Sequence, residues 1–212
     1  MAIFPSSAIP SGAEAFTIDQ SLRFEDGDTP GLNFQPSAAS NRKTYTFSFW
    51  VKRGTQSNES PIFTSNEGHE PGFNILFGGH LADDYELNVY DYTSGSANIH
   101  LRTTAKYRDS SAWYHIVVAV DTTQAVEANR VKIYVNGVQE TSLGDSDYPS
   151  QDTDWDVNNT TEHLISAKSW DGSVNGSSDV YLAEVHHIDG TALTPTSFGE
   201  EGDYGEWKPI EV

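Results

Sequence analysis

A strict two-residue alternation of apolar and polar side chains constrains this chain more than any other feature. In Thr44–Lys52, TYTFSFWVK, Phe47, Phe49 and Val51 fall on one side, and Ser48, Trp50 and Lys52 on the other. Successive side chains of a strand point to opposite faces, so this is the signature of a half-buried strand. Val131–Val135 repeats the pattern and stops at Asn136-Gly137. Both residues accept the positive φ of a type I′ turn, and Val138 begins the return strand. Trp113–Val120, WYHIVVAV, is apolar on both faces and rich in β-branched residues, which predicts a central strand. Phe73–Phe77, Glu86–Tyr92, His163–Ala167 and Val180–Ile188 are further strand segments. The helix-like cue is Thr194-Pro195 followed by Ser197 and Phe198, where proline at a first helical position predicts one turn. Many short strands without intervening helices predict an all-β fold, a sandwich or jelly roll.

Residues 1–16 differ from the rest. Pro5 and Pro10 stand among Ser, Ala and Gly, and proline removes a donor and favours extended chain. This stretch reads as an extended arm whose Ile3, Phe4, Pro5, Ile9 and Pro10 dock on another surface; the alternative is a disordered tail. Residues 17–212 read as one domain with a C-terminal tail, without an internal repeat.

Composition removes whole classes of function. The 212 residues contain no cysteine, which excludes a disulfide scaffold, a cysteine nucleophile and a Cys-ligated zinc or iron–sulfur centre. The net charge of −19 opposes the phosphate backbone of nucleic acids and anionic membrane surfaces. Such charge is tolerated best where salt screens it. There is no apolar run of transmembrane length and no basic start of a signal peptide, so either the chain is not exported by that route or it reaches the outside by another, such as release inside an assembled particle.

Three segments, Thr46–Lys52, Trp113–Asp121 and Val131–Val138, together resemble the laminin-G-like, concanavalin-A-like jelly rolls. Tyr181–Glu200, YLAEVHHIDGTALTPTSFGE, is similar to the closing strand and Leu-Thr-Pro turn of that family, and the resemblance spans roughly residues 21 to 200. It implies two curved antiparallel sheets packed face to face. The stretches SNRKTYTFSFWVKRG and RDSSAWYHIVVAVDTT with the GEWKP tail look like single-domain proteins of tailed phages, especially marine ones.

Motifs that would carry catalysis are missing. Retaining glycosidases of this superfold set carboxylates on one strand face as Glu-x-Asp-x-x-Glu, and no such spacing occurs. There is no His-Glu-x-x-His and no Gly-x-Ser-x-Gly. His186 and His187 are adjacent, so a strand points their rings to opposite faces and they cannot grip one zinc ion. Asp152, Asp154 and Asp156 alternate as oxygen ligands for calcium do, yet position six is Val157 and position twelve is His163, so an EF-hand is rejected. With Asp145 and Asp147 they form a dense acidic stretch, either a calcium site or a solvated loop. Tyr148, Trp155, Trp170 and Asp171 lie in polar stretches where aromatic faces would stack on sugars and acids would hold hydroxyls. Subunit contact or capping of the sandwich are the alternatives for these tryptophans.

The expectation is a non-enzymatic structural or adhesive module on the surface of a phage particle. Its partners would be capsid or tail subunits and further copies of itself, without nucleic acid or membrane insertion and without a required cofactor. The alternative is a glycan-binding module, calcium-assisted or not, acting in host attachment.

Overall fold

The computed structural model describes residues 16–54, 59–67, 70–79, 85–93, 96–170 and 173–212. Its strands in chain order are β1 (Leu22–Phe24), β2 (Leu32–Phe34), β3 (Thr44–Arg53), β4 (Glu59–Glu67), β5 (Glu70–Gly78), β6 (Glu86–Thr93), β7 (Ser96–Lys106), β8 (Tyr114–Asp121) and β9 (Val131–Val135). They continue as β10 (Val138–Gln139), β11 (Leu143–Asp147), β12 (Glu162–Ile165), β13 (Ala167–Trp170), β14 (Ser173–Ser177), β15 (Val180–Asp189), β16 (Gly199–Glu201) and β17 (Trp207–Pro209). A six-stranded sheet runs β1-β15-β3-β8-β9-β10 and a seven-stranded sheet β11-β7-β6-β5-β4-β12-β2, both antiparallel. This is the expected jelly-roll sandwich. Among the described residues no helix is long and apolar enough to cross a membrane.

The alternation read from the sequence sets which side chains meet. Phe47, Phe49 and Val51 of β3 and Ile116, Val118 and Val120 of β8 face Phe73, Ile75 and Phe77 of β5 and Leu87 and Val89 of β6 in one buried cluster. Each such side chain contributes roughly 1.5–3 kcal/mol by leaving water. Asn136 (φ 47) and Gly137 (φ 82) make the tight β9–β10 turn. Val185 interrupts the alternation of β15: Glu184 takes φ 46 and the register against β3 shifts between Ala183 and His186. After this bulge His187 faces inward on Phe47 (ring centroids 4.4 Å apart) and His186 faces outward towards Phe198. The doublet therefore splits across the sheet, as expected.

Two outer layers were not legible in the alternation. The C-terminal segment covers the outer face of the six-stranded sheet. Thr46 Oγ1 donates to the Thr191 carbonyl and accepts from the Leu193 amide, and Phe198 is buried. The single turn expected at Pro195 is present and starts this cover. The β13–β14 hairpin covers part of the outer face of the seven-stranded sheet, with Thr64 Oγ1 donating to the Ala167 carbonyl. Here the expected strand His163–Ala167 is corrected. Ser166 adopts φ 59, which breaks the run and turns the chain out of β12 into the hairpin.

Candidate functional site

Polar side chains of β6 recur at every second residue, Glu86, Asn88 and Tyr90, while Leu87 and Val89 go to the core. The same alternation on β7 turns His100 and Arg102 to this face, opposite Tyr90 and Asn88. β11 adds Asp145 and Asp147, paired with Arg102 and His100 in the ladder. β4 contributes Glu59, and the β13–β14 hairpin contributes Lys168. Five strands thus contribute to a polar array on the outer face of one sheet.

Arg102 is its centre. Nη1 donates to Glu86 Oε2 at 2.8 Å, and Nε donates to Asp145 Oδ2 at 2.5 Å. These bonds raise the guanidinium pKa further and fix the planar fork in one orientation. Lys106 adds a second cation 3.8 Å from Glu86. Asn88 Nδ2 donates to the Gly78 carbonyl at 2.9 Å, so its Oδ1 is the acceptor for His100 Nε2–H at 3.0 Å. The other ring nitrogen, Nδ1, lies 3.6 Å from Asp145 Oδ2. Burial depresses the His100 pKa, against the opposing pull of Asp145. Further along the face Lys168 Nζ pairs with Glu59, and burial together with Glu59 pushes the Tyr90 phenol up. The result is a row of polar groups held by one another.

The residues singled out in the sequence are placed differently. Trp155 is 3% exposed and packs edge-on and tilted against Tyr45 and Phe73, with centroids 6.2 and 4.8 Å away. It caps the core, so its ring cannot stack on a sugar. Tyr148 is half-buried against the same core. Trp170 closes β13, but its side chain and Asp171 lie outside the described residues. So do Ile3, Phe4, Pro5, Ile9 and Pro10. The calcium expectation rested on Asp152, Asp154 and Asp156. Among the described residues no group of three or more His, Asp or Glu is placed to hold a metal ion. Asp156 is buried and pairs with Arg42 at 3.5 Å, Asp152 is exposed near Lys43 at 3.7 Å, and Asp154 is exposed. Asp145 and Asp147 leave the acidic loop altogether, since they belong to β11.

One pair invites a catalytic reading and fails it. Ser48 Oγ and His115 Nε2 are 2.9 Å apart. His115 Nδ1 accepts from the Trp207 indole, so the neutral ring carries its proton on Nε2 and donates it to Ser48. A general base needs the reverse. Both residues are also buried under the C-terminal cover.

Residues 26–196 match the family model described as the concanavalin A-like lectin/glucanases superfamily, of the laminin G type. The chain belongs to this superfamily. Its sandwich is similar to those of several solved structures. One is domain 4 of the extracellular GH43 arabinanase AbnA of Geobacillus stearothermophilus in complex with arabinotriose, at 21% identity over 83% of this chain and 69% of that one, TM-score 0.46. Another is Trypanosoma rangeli sialidase in complex with sialic acid, at 13% identity over 84% of this chain and 28% of that one, TM-score 0.50. A third is botulinum neurotoxin type C, whose cell entry depends on two ganglioside molecules, at 15% identity over 74% of this chain and 35% of that one, TM-score 0.44. This laminin-G-like chain spans about a third or less of the sialidase and neurotoxin chains, and the likeness to the sialidase concerns the fold. No curated protein matches the sequence.

Proposed function

We propose that this laminin-G-like chain is a non-enzymatic carbohydrate-binding module and that its ligand lies along the outer face of the seven-stranded sheet. The single observation that carries this reading is the braced array Glu86–Arg102–Asp145, with His100–Asn88 beside it and Glu59–Lys168 beyond. Sugar hydroxyls need several donors and acceptors at fixed spacing. Side chains already tied to one another lose little freedom on binding. Binding rather than hydrolysis fits the same contacts. A glycosidase needs one carboxyl kept protonated and a second free to attack. Glu59, Glu86 and Asp145 are each engaged by a cation.

The test is a glycan array followed by titration calorimetry with the wild type, Arg102→Ala and Asn88→Ala. Binding by the wild type that falls about tenfold or more in each variant, as expected for lost charge-assisted or buried hydrogen bonds, supports the reading. No binding by the folded wild type sinks it. Release of reducing ends from any bound polysaccharide would overturn the non-enzymatic part.

The resemblance of SNRKTYTFSFWVKRG and RDSSAWYHIVVAVDTT to single-domain phage proteins supports a finer proposal, that the module is carried on the surface of a tailed-phage particle and meets host glycans there. Mass spectrometry of purified particles that lack the chain would refute that location and leave the glycan reading standing.

A further inference from the structure

Where the two sheets meet at β1 and β2, the sandwich is not sealed. β1 and β2 are three residues each, and β1 pairs with β15 only from Leu182 back to Val180. Continuing that ladder would set Ser21 against Ala183 and Gln20 against Glu184, but the bulge with Glu184 at φ 46 ends it. The opening is a cleft of about 390 Å³ walled by Leu22, Leu32, Ile165, Leu182 and Val185, with Glu184 at its rim. Leu22, Leu32 and Val185 are 57%, 47% and 42% exposed, a contiguous apolar lining on a chain of strongly negative charge. Beyond the bulge, His186–Asp189 pair with β3 on one side and with no strand among the described residues on the other. An apolar wall beside an unpaired strand edge fits an extended apolar segment, which can supply both side chains and main-chain bonds.

We propose that this cleft is the docking site for residues 1–15 of the same chain. Gln20 and Ser21 form part of the cleft wall, so the chain leading to them starts at its mouth. Eleven residue steps lead from Ile9 to Gln20, a reach of roughly 36–40 Å when extended, and Gly12 permits the return turn. The segment carries Ile3, Phe4 and Ile9 and holds no Lys or Arg, so it suits an apolar site. Ser6–Ile9, between Pro5 and Pro10, retains every backbone donor and is long enough to pair with the free edge of β15. Tethering at this distance gives an effective concentration in the millimolar range, which favours the chain's own segment over one from another molecule.

Hydrogen exchange and titration calorimetry test this on the intact chain, a chain lacking residues 1–15, and a full-length Phe4→Ser/Ile9→Ser variant that keeps the tether. The expected result is exchange at the amides of residues 186–189 faster by about tenfold or more in both altered chains, as local opening requires. A peptide of residues 1–15 should then bind the shortened chain and bind the intact chain at least about tenfold more weakly, because the tethered copy competes. Unchanged exchange in the double variant overturns the proposal, as does equal peptide binding to both chains. A dimer of the intact chain that dissociates on removal of residues 1–15 also overturns it, because the occupant is then a second copy's segment.

Discussion

The indole N–H of Trp207 donates to Nδ1 of His115 at 2.9 Å, and this bond joins the last strand of the chain to the centre of the six-stranded sheet. His115 lies between Trp50 and Trp207, with ring centroids 4.9 and 6.0 Å away and nearly parallel planes. Gly137 is fitted to the same indole: a Cβ there would come within 2.5 Å of it, and φ 82 already favours glycine. Trp207→Phe keeps much of the ring but leaves a buried imidazole acceptor without a donor. That should cost about 1–2 kcal/mol, or a fall in Tm of roughly 2–8 °C. Ser48→Ala should destabilise the fold by a similar route, while a serine-directed fluorophosphonate should leave wild-type Ser48 unlabelled. Thermal denaturation and intact-mass analysis read both.

Acid should unfold this protein through its buried imidazoles. Burial holds His115 and His187 at about 4, with neighbouring histidines adding to the depression. His163 is depressed too, and both its nitrogens are used as only a neutral ring can use them: Nδ1–H donates to the Thr161 carbonyl and Nε2 accepts from the Asn158 amide. In the unfolded chain these rings titrate near 6.5. Between pH ~6.5 and ~4 the unfolded state therefore binds more protons, and stability falls as pH falls. His115 and His187 should each account for a loss on the order of 3 kcal/mol by pH 4. Urea unfolding at pH 7, 5.5 and 4.5 measures the slope. His187→Phe, which keeps the stack on Phe47 and removes a buried nitrogen that has no hydrogen-bond partner among the described residues, should flatten it.

Trp155→Ala should lower stability by about 3–5 kcal/mol, since it empties a core site beside Tyr45 and Phe73. In whatever fraction folds, glycan affinity should stay within about twofold of wild type, because the ring never reaches the surface. Chemical denaturation separates the two effects. A selective loss of glycan binding without loss of stability would contradict the placement of Trp155.

The contrast between Trp155 and Arg102 shows what was legible in the sequence. Alternation is local, so Thr44–Lys52 and Val131–Val135 declared their inner and outer faces, and Asn136-Gly137 declared its turn. A tryptophan in DTDWDVNN carries no local sign of burial. It is buried because Arg42 clamps its backbone, with Nε donating to the Trp155 carbonyl at 2.5 Å from far away in the chain. The polar face of β6 was open to the same reading, since Glu86, Asn88 and Tyr90 alternate with Leu87 and Val89. What could not be read is that Arg102 and Asp145 lie beside them, because strand register depends on pairing between distant segments. β4 escaped notice for a related reason. Pro61 and bulges at two points break its pattern, and its partners rather than its composition make it a strand.

Calcium should leave the fold unchanged. Asp156 spends its charge on Arg42 and Asp152 lies near Lys43, so a cation would have to displace both and draw in the exposed Asp154. Millimolar calcium or EDTA should move Tm by less than about 1 °C, whereas a specific site at saturation would add several kcal/mol and raise it clearly. Differential scanning calorimetry in the two buffers decides.

Neutral glycans should bind in preference to acidic ones of the same size. Arg102, Lys106 and Lys168 are the cations of the polar face, and Glu86, Asp145 and Glu59 already engage them. Asp147 adds exposed negative charge beside His100, and the net charge of −19 extends the repulsion. An acidic sugar would have to break one of these pairs and leave a carboxylate facing it. At low salt the preference should be about tenfold or more, and it should shrink as ionic strength rises towards 1 M, where the screening length is about 3 Å. Asp147→Asn should narrow the gap without weakening the neutral ligand. Calorimetry with a neutral oligosaccharide and its carboxylated counterpart, at two salt concentrations, gives the result directly. Tighter binding of the acidic sugar would mean that Arg102 or Lys168 exchanges its protein partner for the ligand, and that the array is a switchable anion site rather than a braced one.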